Sequence, residues 1–175
     1  MYAHIESNVG GWWAGVLHPM EVAHHLVTML LVGLLGGLAV RAGRSSWTLP
    51  ATFVVAMSGF ALIAGAFGRR PFDVDAVLIV MAVVLAVLVF VHPRRTGAVG
   101  LVAVSVSGAL LGMAHGTDGS GSSRPVAYAA GFTFTGGLLL AVGAIVGATI
   151  GRALRGRRSA LDDTESADRE DRALV

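Results

Sequence analysis

The 175-residue chain contains no cysteine, and only 14% of its residues are charged. The absence of cysteine excludes disulfide bonds and thiolate metal sites. The scarcity of charge argues against a soluble domain, because most helices of a globular protein need a charged outer face. Hydrophobic residues make up 54% of the sequence, and there are 24 glycines, which are frequent where helices pack closely in lipid. We therefore expect most of the chain to lie in a membrane.

Five long apolar segments are separated by short stretches of charged and turn-forming residues. Each has about 17–25 residues, the length that crosses a hydrocarbon core as a helix. None shows the two-residue alternation of a barrel strand. The sequence thus predicts an all-α fold, a polytopic transmembrane bundle of about five spans. A short interfacial or re-entrant helix with Trp12 and Trp13 is predicted before them, at 10–17. The predicted spans are 20–40, 49–67, 74–91, 97–114 and 126–150.

The arginines predict how the chain is oriented, since cytoplasmic loops carry an excess of basic residues. With the N-terminus outside, eight arginines flank the cytoplasmic ends of the spans and three lie outside. We therefore expect a multi-pass protein of a bacterial plasma membrane, with the N-terminus outside and the C-terminus cytoplasmic. The transmembrane domain is predicted at 1–151. A tail at 152–175, basic and then acidic with few large apolar residues, is predicted to be disordered.

Most of the ionisable residues near the predicted spans lie at one end of the bundle. With the N-terminus outside, they fall at the outer ends of the first, third and fourth spans. Ionisable groups at a membrane boundary are usually functional, although interfacial anchoring or pairing of the two aspartates with Arg69 and Arg70 is an alternative. These residues are His18, Glu21, His24, His25, Asp73, Asp75, His115 and Asp118.

The first predicted span carries the sharpest signal. If Pro19 opens this helix, His18, Glu21 and His25 share nearly one face. His24 then points about a third of a turn away. Imidazole and carboxylate ligands together suit nickel, copper, zinc or iron. The pattern predicts a metal or proton role for this face.

Three stretches resemble the HupE/UreJ family, whose members are small membrane proteins associated with hydrogenase and urease gene clusters and regarded as nickel permeases. Residues 15–29, GVLHPMEVAHHLVTM, are similar to the family signature G-x-x-H-P-x-x-G-x-D-H-x-x-x-M. Residues 112–118, GMAHGTD, resemble G-x-A-H-G-x-E, and residues 128–132 resemble the Y-x-x-G-F that opens the last span. The resemblance extends in order from about residue 11 to residue 151.

The resemblance implies that His18, His25 and His115 bind the metal ion. It also implies roles for two acids, because Asp118 stands where the family usually has one and Asp75 matches an acid near the start of the third span. The chain departs from the family at three other positions. Val22 replaces a glycine, His24 replaces an aspartate, and a histidine usual near Leu140 is absent. An imidazole in place of a carboxylate removes a negative charge and adds a softer ligand, which predicts a changed metal preference or a loss of transport.

The sequence therefore predicts an uptake permease for a divalent transition-metal ion, with nickel first by resemblance and cobalt, copper or zinc as alternatives. The second interpretation is a membrane accessory subunit that senses metal, or passes it to another protein, without transporting it. An enzyme is not expected, because a helical H-E-x-x-H or a Ser/His pair deep in the bilayer is absent from the sequence. Expected partners are lipid and the metal ion, with a second copy or separate metalloenzyme or accessory chains left open, and no nucleic acid. The predicted ligands are His18, Glu21, His24, His25, Asp75, His115 and Asp118.

Overall fold

The computed structural model describes residues 11–39, 47–67, 72–90, 97–119 and 124–173, and these residues form six helices. No strand occurs within these ranges, which confirms the predicted all-α fold. The helices are α1 (Gly11–Glu21), α2 (Ala23–Ala39), α3 (Thr48–Phe67), α4 (Val74–Phe90), α5 (Ala98–Gly119) and α6 (Pro125–Ala173).

The helices from α2 to α6 alternate in direction. Close backbone contacts join Gly33 of α2 to Leu140 of α6, and Gly37 to Ala144, so α2 and α6 run parallel. In the same way, the contacts Phe53–Gly108, Met57–Gly112 and Ala61–Gly116 show that α3 and α5 run parallel. The starts of α2 and α4 meet at His24 and Asp75, whereas α5 approaches this end with its last turns, at His115. Alternating directions are the arrangement expected of successive membrane crossings.

Two described helices are long and apolar enough to cross a membrane, at Ala98–Thr117 and Val126–Asp162. A third crossing results if α1 and α2, which are bent by 81° relative to each other, count as one span. Shorter apolar helices occupy Thr48–Ala64 and Val74–Phe90. At a rise of 1.5 Å per residue, a 17-residue helix is about 25 Å long, which lies at the short end of the range for a crossing. Large apolar side chains such as Val55, Leu62 and Phe90 are exposed on the outer faces, as lipid contact requires.

Glycines bring the helix pairs into backbone contact. A Cβ at Gly33 would clash with the Leu140 carbonyl oxygen, and one at Gly143 would clash with the Leu30 carbonyl oxygen. Small residues matter here because lipid does not force helices together, so close packing supplies much of the attraction. Gly37 and Gly147 form the next such contacts along the pair. These contacts agree with the close helix packing that the high glycine content predicts.

The predicted first span, 20–40, corresponds to the single helix α2, but it begins too early, since its first residues belong to the preceding short helix α1. The chain breaks at Val22, whose carbonyl accepts the first hydrogen bonds of α2 from the His25 amide (3.0 Å) and the Leu26 amide (3.3 Å). Pro19 does not open the span but lies in the last turn of α1. Proline has no amide hydrogen to donate to the Gly15 carbonyl, so it weakens the helix just before the break.

The last helix is longer than the sequence predicts. α6 has 49 residues and continues through most of the segment predicted to be disordered, and its side chains from 152 to 162 are exposed. A low content of large apolar residues shows only that a segment has little to bury. This one is rich in arginine and alanine, which favour helix, and contains no proline.

Candidate metal centre

Three histidines from three helices converge at one end of the bundle. His18 lies on α1, His25 on α2 and His115 on α5, and one ring nitrogen from each lies within 4.8 Å of the others. The ring centroids are 5.0 Å apart for His18 and His115, and 4.8 Å apart for His25 and His115. Donor atoms that share one ion at about 2.1 Å lie about 3.0–3.4 Å from each other. We call these residues the three-histidine group; small side-chain rotations would bring its nitrogens to a single ion.

The bend between α1 and α2 produces this convergence. His18 and His25 are seven residues apart, which on a straight helix means about 10.5 Å along the axis. Their ring centroids are 5.8 Å apart because α1 turns by 81° at Val22 and carries His18 back over the start of α2. The shared helix face that the sequence predicts is therefore wrong in its geometry, although His18 and His25 do come together. The signal for the break was Pro19, followed by the position where the family signature has glycine.

His115 is oriented by its own helix. Its Nδ1 lies 2.7 Å from the Leu111 carbonyl oxygen. A carbonyl oxygen only accepts hydrogen bonds, so Nδ1 carries the proton and donates it, and Nε2 keeps its lone pair. Ring nitrogens that bind metals are commonly aimed in this way, through a hydrogen bond from the other nitrogen to a backbone carbonyl. The His115 ring is ready to act as a ligand through Nε2.

Two aromatic rings of α6 pack against the three-histidine group. Phe132 lies against His115, with ring centroids 3.9 Å apart and ring planes 31° apart. Tyr128 meets His18 edge-on, with centroids 5.9 Å apart. Both rings belong to the Y-x-x-G-F stretch, the weakest of the three resemblances in the sequence. The structure gives this stretch a role that sequence reasoning missed, since its rings line one side of the histidines.

The same stretch docks α1 onto α6. A Cβ at Gly15 would clash with the Tyr128 carbonyl oxygen, and one at Gly131 would clash with the Trp12 carbonyl oxygen. Next to this contact, the buried Thr135 hydroxyl donates a hydrogen bond of 3.0 Å to the Val16 carbonyl. These contacts fix the position of α1, and with it the position of His18.

A second set of donors lies beside the first. Asp75 Oδ1 is 3.3 Å from His24 Nε2 and 3.7 Å from His25 Nε2, and one donor atom from each of the three residues lies within 4.8 Å of the others. Asp73, two residues earlier, accepts a hydrogen bond of 3.1 Å from the Ala76 amide and caps the start of α4. We call His24, His25 and Asp75 the Asp75 group. It contains the imidazole that this chain has where the family signature has aspartate.

Of the two remaining predicted ligands, Glu21 belongs to neither group and the side chain of Asp118 is not described. The Glu21 side chain is exposed at the end of α1. Asp118 lies on α5 almost one turn after His115, and its side chain is outside the part that the structure describes, so its role stays a prediction. Arg69 and Arg70, the alternative partners of the aspartates, also lie outside the described residues. Leu140, near the position where the family usually has a histidine, is buried in the apolar core.

Comparison with known proteins agrees with this architecture. The family model described as HupE / UreJ protein matches residues 1–162. Protein HupE of Rhizobium leguminosarum bv. viciae is 26% identical over 131 residues, which cover 75% of this chain and 67% of that protein. No solved structure matches the chain. A family match over most of the sequence, on a bundle of apolar helices, shows that the chain belongs to the HupE/UreJ family and is a membrane protein of a family associated with metal handling.

Proposed function

We propose that this protein is a permease that takes up a divalent transition-metal ion, with nickel as the first candidate, and that it catalyses no chemical reaction. The observation that carries the proposal is the convergence of His18, His25 and His115 from three separate helices. His25 and His115 are buried among apolar helices, and ionisable side chains inside a membrane bundle usually have a functional role. Imidazole nitrogens are good ligands for nickel and its neighbours in the first transition series.

The ion is proposed to reach the three-histidine group from outside the cell, in line with the orientation that the arginines predict. There the imidazole nitrogens replace part of its water shell, and Tyr128 and Phe132 limit the access of further water. A neutral ligand set holds a dication less tightly than a set with several carboxylates or thiolates, which suits a cargo that must be released. His18 is carried by a short helix of its own, so a change in the bend at Val22 would separate it from the other two ligands.

Metal accumulation by cells tests the proposal. Cells that express the protein are supplied with trace nickel, cobalt, copper and zinc, and their metal content is measured by mass spectrometry. We expect one metal to accumulate above the empty vector, and His18→Ala, His25→Ala and His115→Ala each to abolish the gain at equal membrane expression. Asp73→Asn is the control, since Asp73 caps α4 and belongs to neither donor group. Accumulation that survives all three histidine substitutions would contradict the proposed site.

The second candidate function is a membrane metal-binding subunit that passes metal to another protein without transporting it. The buried leucine at position 140 favours this reading, because it removes a ligand that the family usually has within the last span. The two functions are separated by measuring the purified protein and whole cells in parallel. Metal retained by the purified protein, with no accumulation above the empty vector, would support the accessory role.

A further inference from the structure

His25 belongs to both donor groups. From this we infer that the two groups are successive positions of a single cargo ion. His24 and Asp75 receive the ion first together with His25, and His25 then passes it to His18 and His115. The inference rests on the metal binding in the proposed function, but it does not require that the ion is transported.

The sharing of His25 limits the protein to one ion at a time. A neutral imidazole carries a proton on one ring nitrogen and a lone pair on the other, so it binds one ion. Two dications held on adjacent donor sets would also repel each other strongly. The described donors of the two groups include one carboxylate, that of Asp75, which offsets only part of the combined charge. The two groups are therefore alternative positions and not a two-metal centre.

Exposure sets the order in which the two positions are filled. The Asp75 side chain is 45% exposed and that of His24 is 22% exposed, whereas His25 is 3% and His115 is 6% exposed. His18 is partly exposed as a residue, but its Nε2 atom is buried. An ion arriving from the surface thus meets Asp75 and His24 before it meets the buried rings. The carboxylate adds a long-range attraction for a hydrated dication and is a harder ligand than imidazole, which suits an ion that still keeps some of its water.

The transfer step is an exchange of ligands around His25. The His25 ring lies 4.5 Å from the His24 ring and 4.8 Å from the His115 ring, measured between centroids. A small displacement of the ion exchanges His24 and Asp75 for His18 and His115 while the bond to His25 persists. No free ion has to form inside the bundle. The ion exchanges one imidazole and one carboxylate for two imidazoles, so it keeps three protein ligands while its donor set becomes softer and loses its negative charge.

Nickel binding to the purified full-length protein in lipid nanodiscs tests this inference, with nickel(II) alone as the probe. Calorimetry gives the stoichiometry and the Kd, and stopped-flow competition with a chromogenic chelator gives the association rate. We expect wild type to bind one equivalent. Asp75→Asn should slow the association of nickel by about tenfold or more, because it removes a charge that attracts the ion. It should leave the Kd within about threefold of wild type, because the ligands of the final position are intact. Asp73→Asn is the matched control, with the same change two residues away, and should behave as wild type.

His115→Ala should give the opposite pattern. It removes a ligand of the final position, so the Kd should rise by about tenfold or more, while one equivalent still binds at the Asp75 group at a near-normal association rate. His115→Gln keeps a polar side chain of similar length, so it is less prone to a folding defect and should show the same rise in Kd. The folding of both variants is checked by size-exclusion chromatography and circular dichroism.

Three results would overturn the inference. Two equivalents bound by wild type would show two simultaneous sites, and an equal rise in Kd for Asp75→Asn and His115→Ala would show one composite site. If nickel associates with Asp75→Asn as fast as with Asp73→Asn, Asp75 has no role in receiving the ion. If wild type fails to bind nickel and also fails to bind cobalt, copper and zinc in the same assay, the proposed function and this inference are overturned together. Normal binding without accumulation in cells would overturn the permease alone.

Discussion

Gly15 of α1 lies against the backbone of Tyr128 of α6, so closely that a Cβ at position 15 would clash with the Tyr128 carbonyl oxygen. Three residues further along α1, His18 enters the three-histidine group, and the ring of Tyr128 itself meets the His18 ring. The contact between two backbones therefore sets the position of a proposed metal ligand. Glycine packing and the geometry of the three-histidine group are parts of one arrangement.

Gly15→Ala should weaken metal binding although the residue carries no ligand atom. The added methyl group would push α1 away from α6 and displace His18 from His25 and His115. We expect the Kd for nickel, measured by calorimetry, to rise by about tenfold or more, because ligand positioning by the surrounding structure is worth about that factor. Gly59→Ala is the matched control, since a Cβ there meets nothing within 4 Å. Equal effects of the two substitutions would contradict the positioning role.

Pro19→Ala should straighten the chain between α1 and α2. The new amide hydrogen can bond the Gly15 carbonyl and so favours a helix that continues through Val22. A straighter helix would separate His18 from His25, and we expect the affinity for nickel to fall by about tenfold or more. Pro50→Ala is the control and should leave the affinity unchanged. Pro50 lies in the first turn of α3, where an amide hydrogen has no intrahelical acceptor. Unchanged nickel affinity in Pro19→Ala would show that the bend does not depend on this proline.

His115 should bind metal through Nε2 while Nδ1 stays protonated. The reason is the hydrogen bond from Nδ1 to the Leu111 carbonyl, which fixes the tautomer. Nitrogen NMR of histidine-labelled protein checks this, with zinc in place of paramagnetic nickel and His115→Ala to assign the signals. We expect the Nε2 resonance of His115 to shift on zinc addition and the Nδ1 resonance to remain that of a protonated nitrogen. A metal-induced loss of the Nδ1 proton would show that the ring turns over to bind.

Thr135→Val should lower the stability of the bundle. It removes the hydrogen bond between the Thr135 hydroxyl and the Val16 carbonyl, which joins α6 to α1. The expected loss is about 0.5–1.5 kcal/mol, seen as a lower Tm of the detergent-solubilised protein. Thr149→Val is the matched control, because the exposed Thr149 hydroxyl bonds within its own helix, donating to the Ile145 carbonyl and accepting from Arg152. If the Tm of Thr149→Val falls by as much, the loss of stability comes from the lower helix propensity of valine and not from the lost bond between helices.

Hydropathy predicted the all-α fold and the approximate places of the apolar segments, because a long apolar run has few ways to satisfy its backbone in lipid. The family resemblance brought His18, His25 and His115 into one predicted site, and the structure places them together. The bend at Val22 was missed because a helical wheel assumes a straight axis. The helix at 152–173 was missed because a low content of apolar residues shows only that a segment cannot build a core. α6 continues through these residues without packing against one.

The association of His24 with Asp75 shows the limit of reasoning from a single sequence. The two residues are 51 positions apart and lie on different helices, so no local period relates them. Sequence reasoning named both as ligands, but it had no means of separating them from the group that contains His18. Only the packing of α4 against α2 divides the donors into two sets that share His25.

The glycine contacts also restrict where anything can pass through the bundle. Where even a methyl group does not fit between α2 and α6, or between α3 and α5, neither a water molecule nor a hydrated metal ion fits. Each parallel pair is closed to hydrated ions along these contacts. In the proposed permease, a hydrated route from the histidines to the opposite end would therefore run between the two pairs, where α4 packs against both α2 and α5.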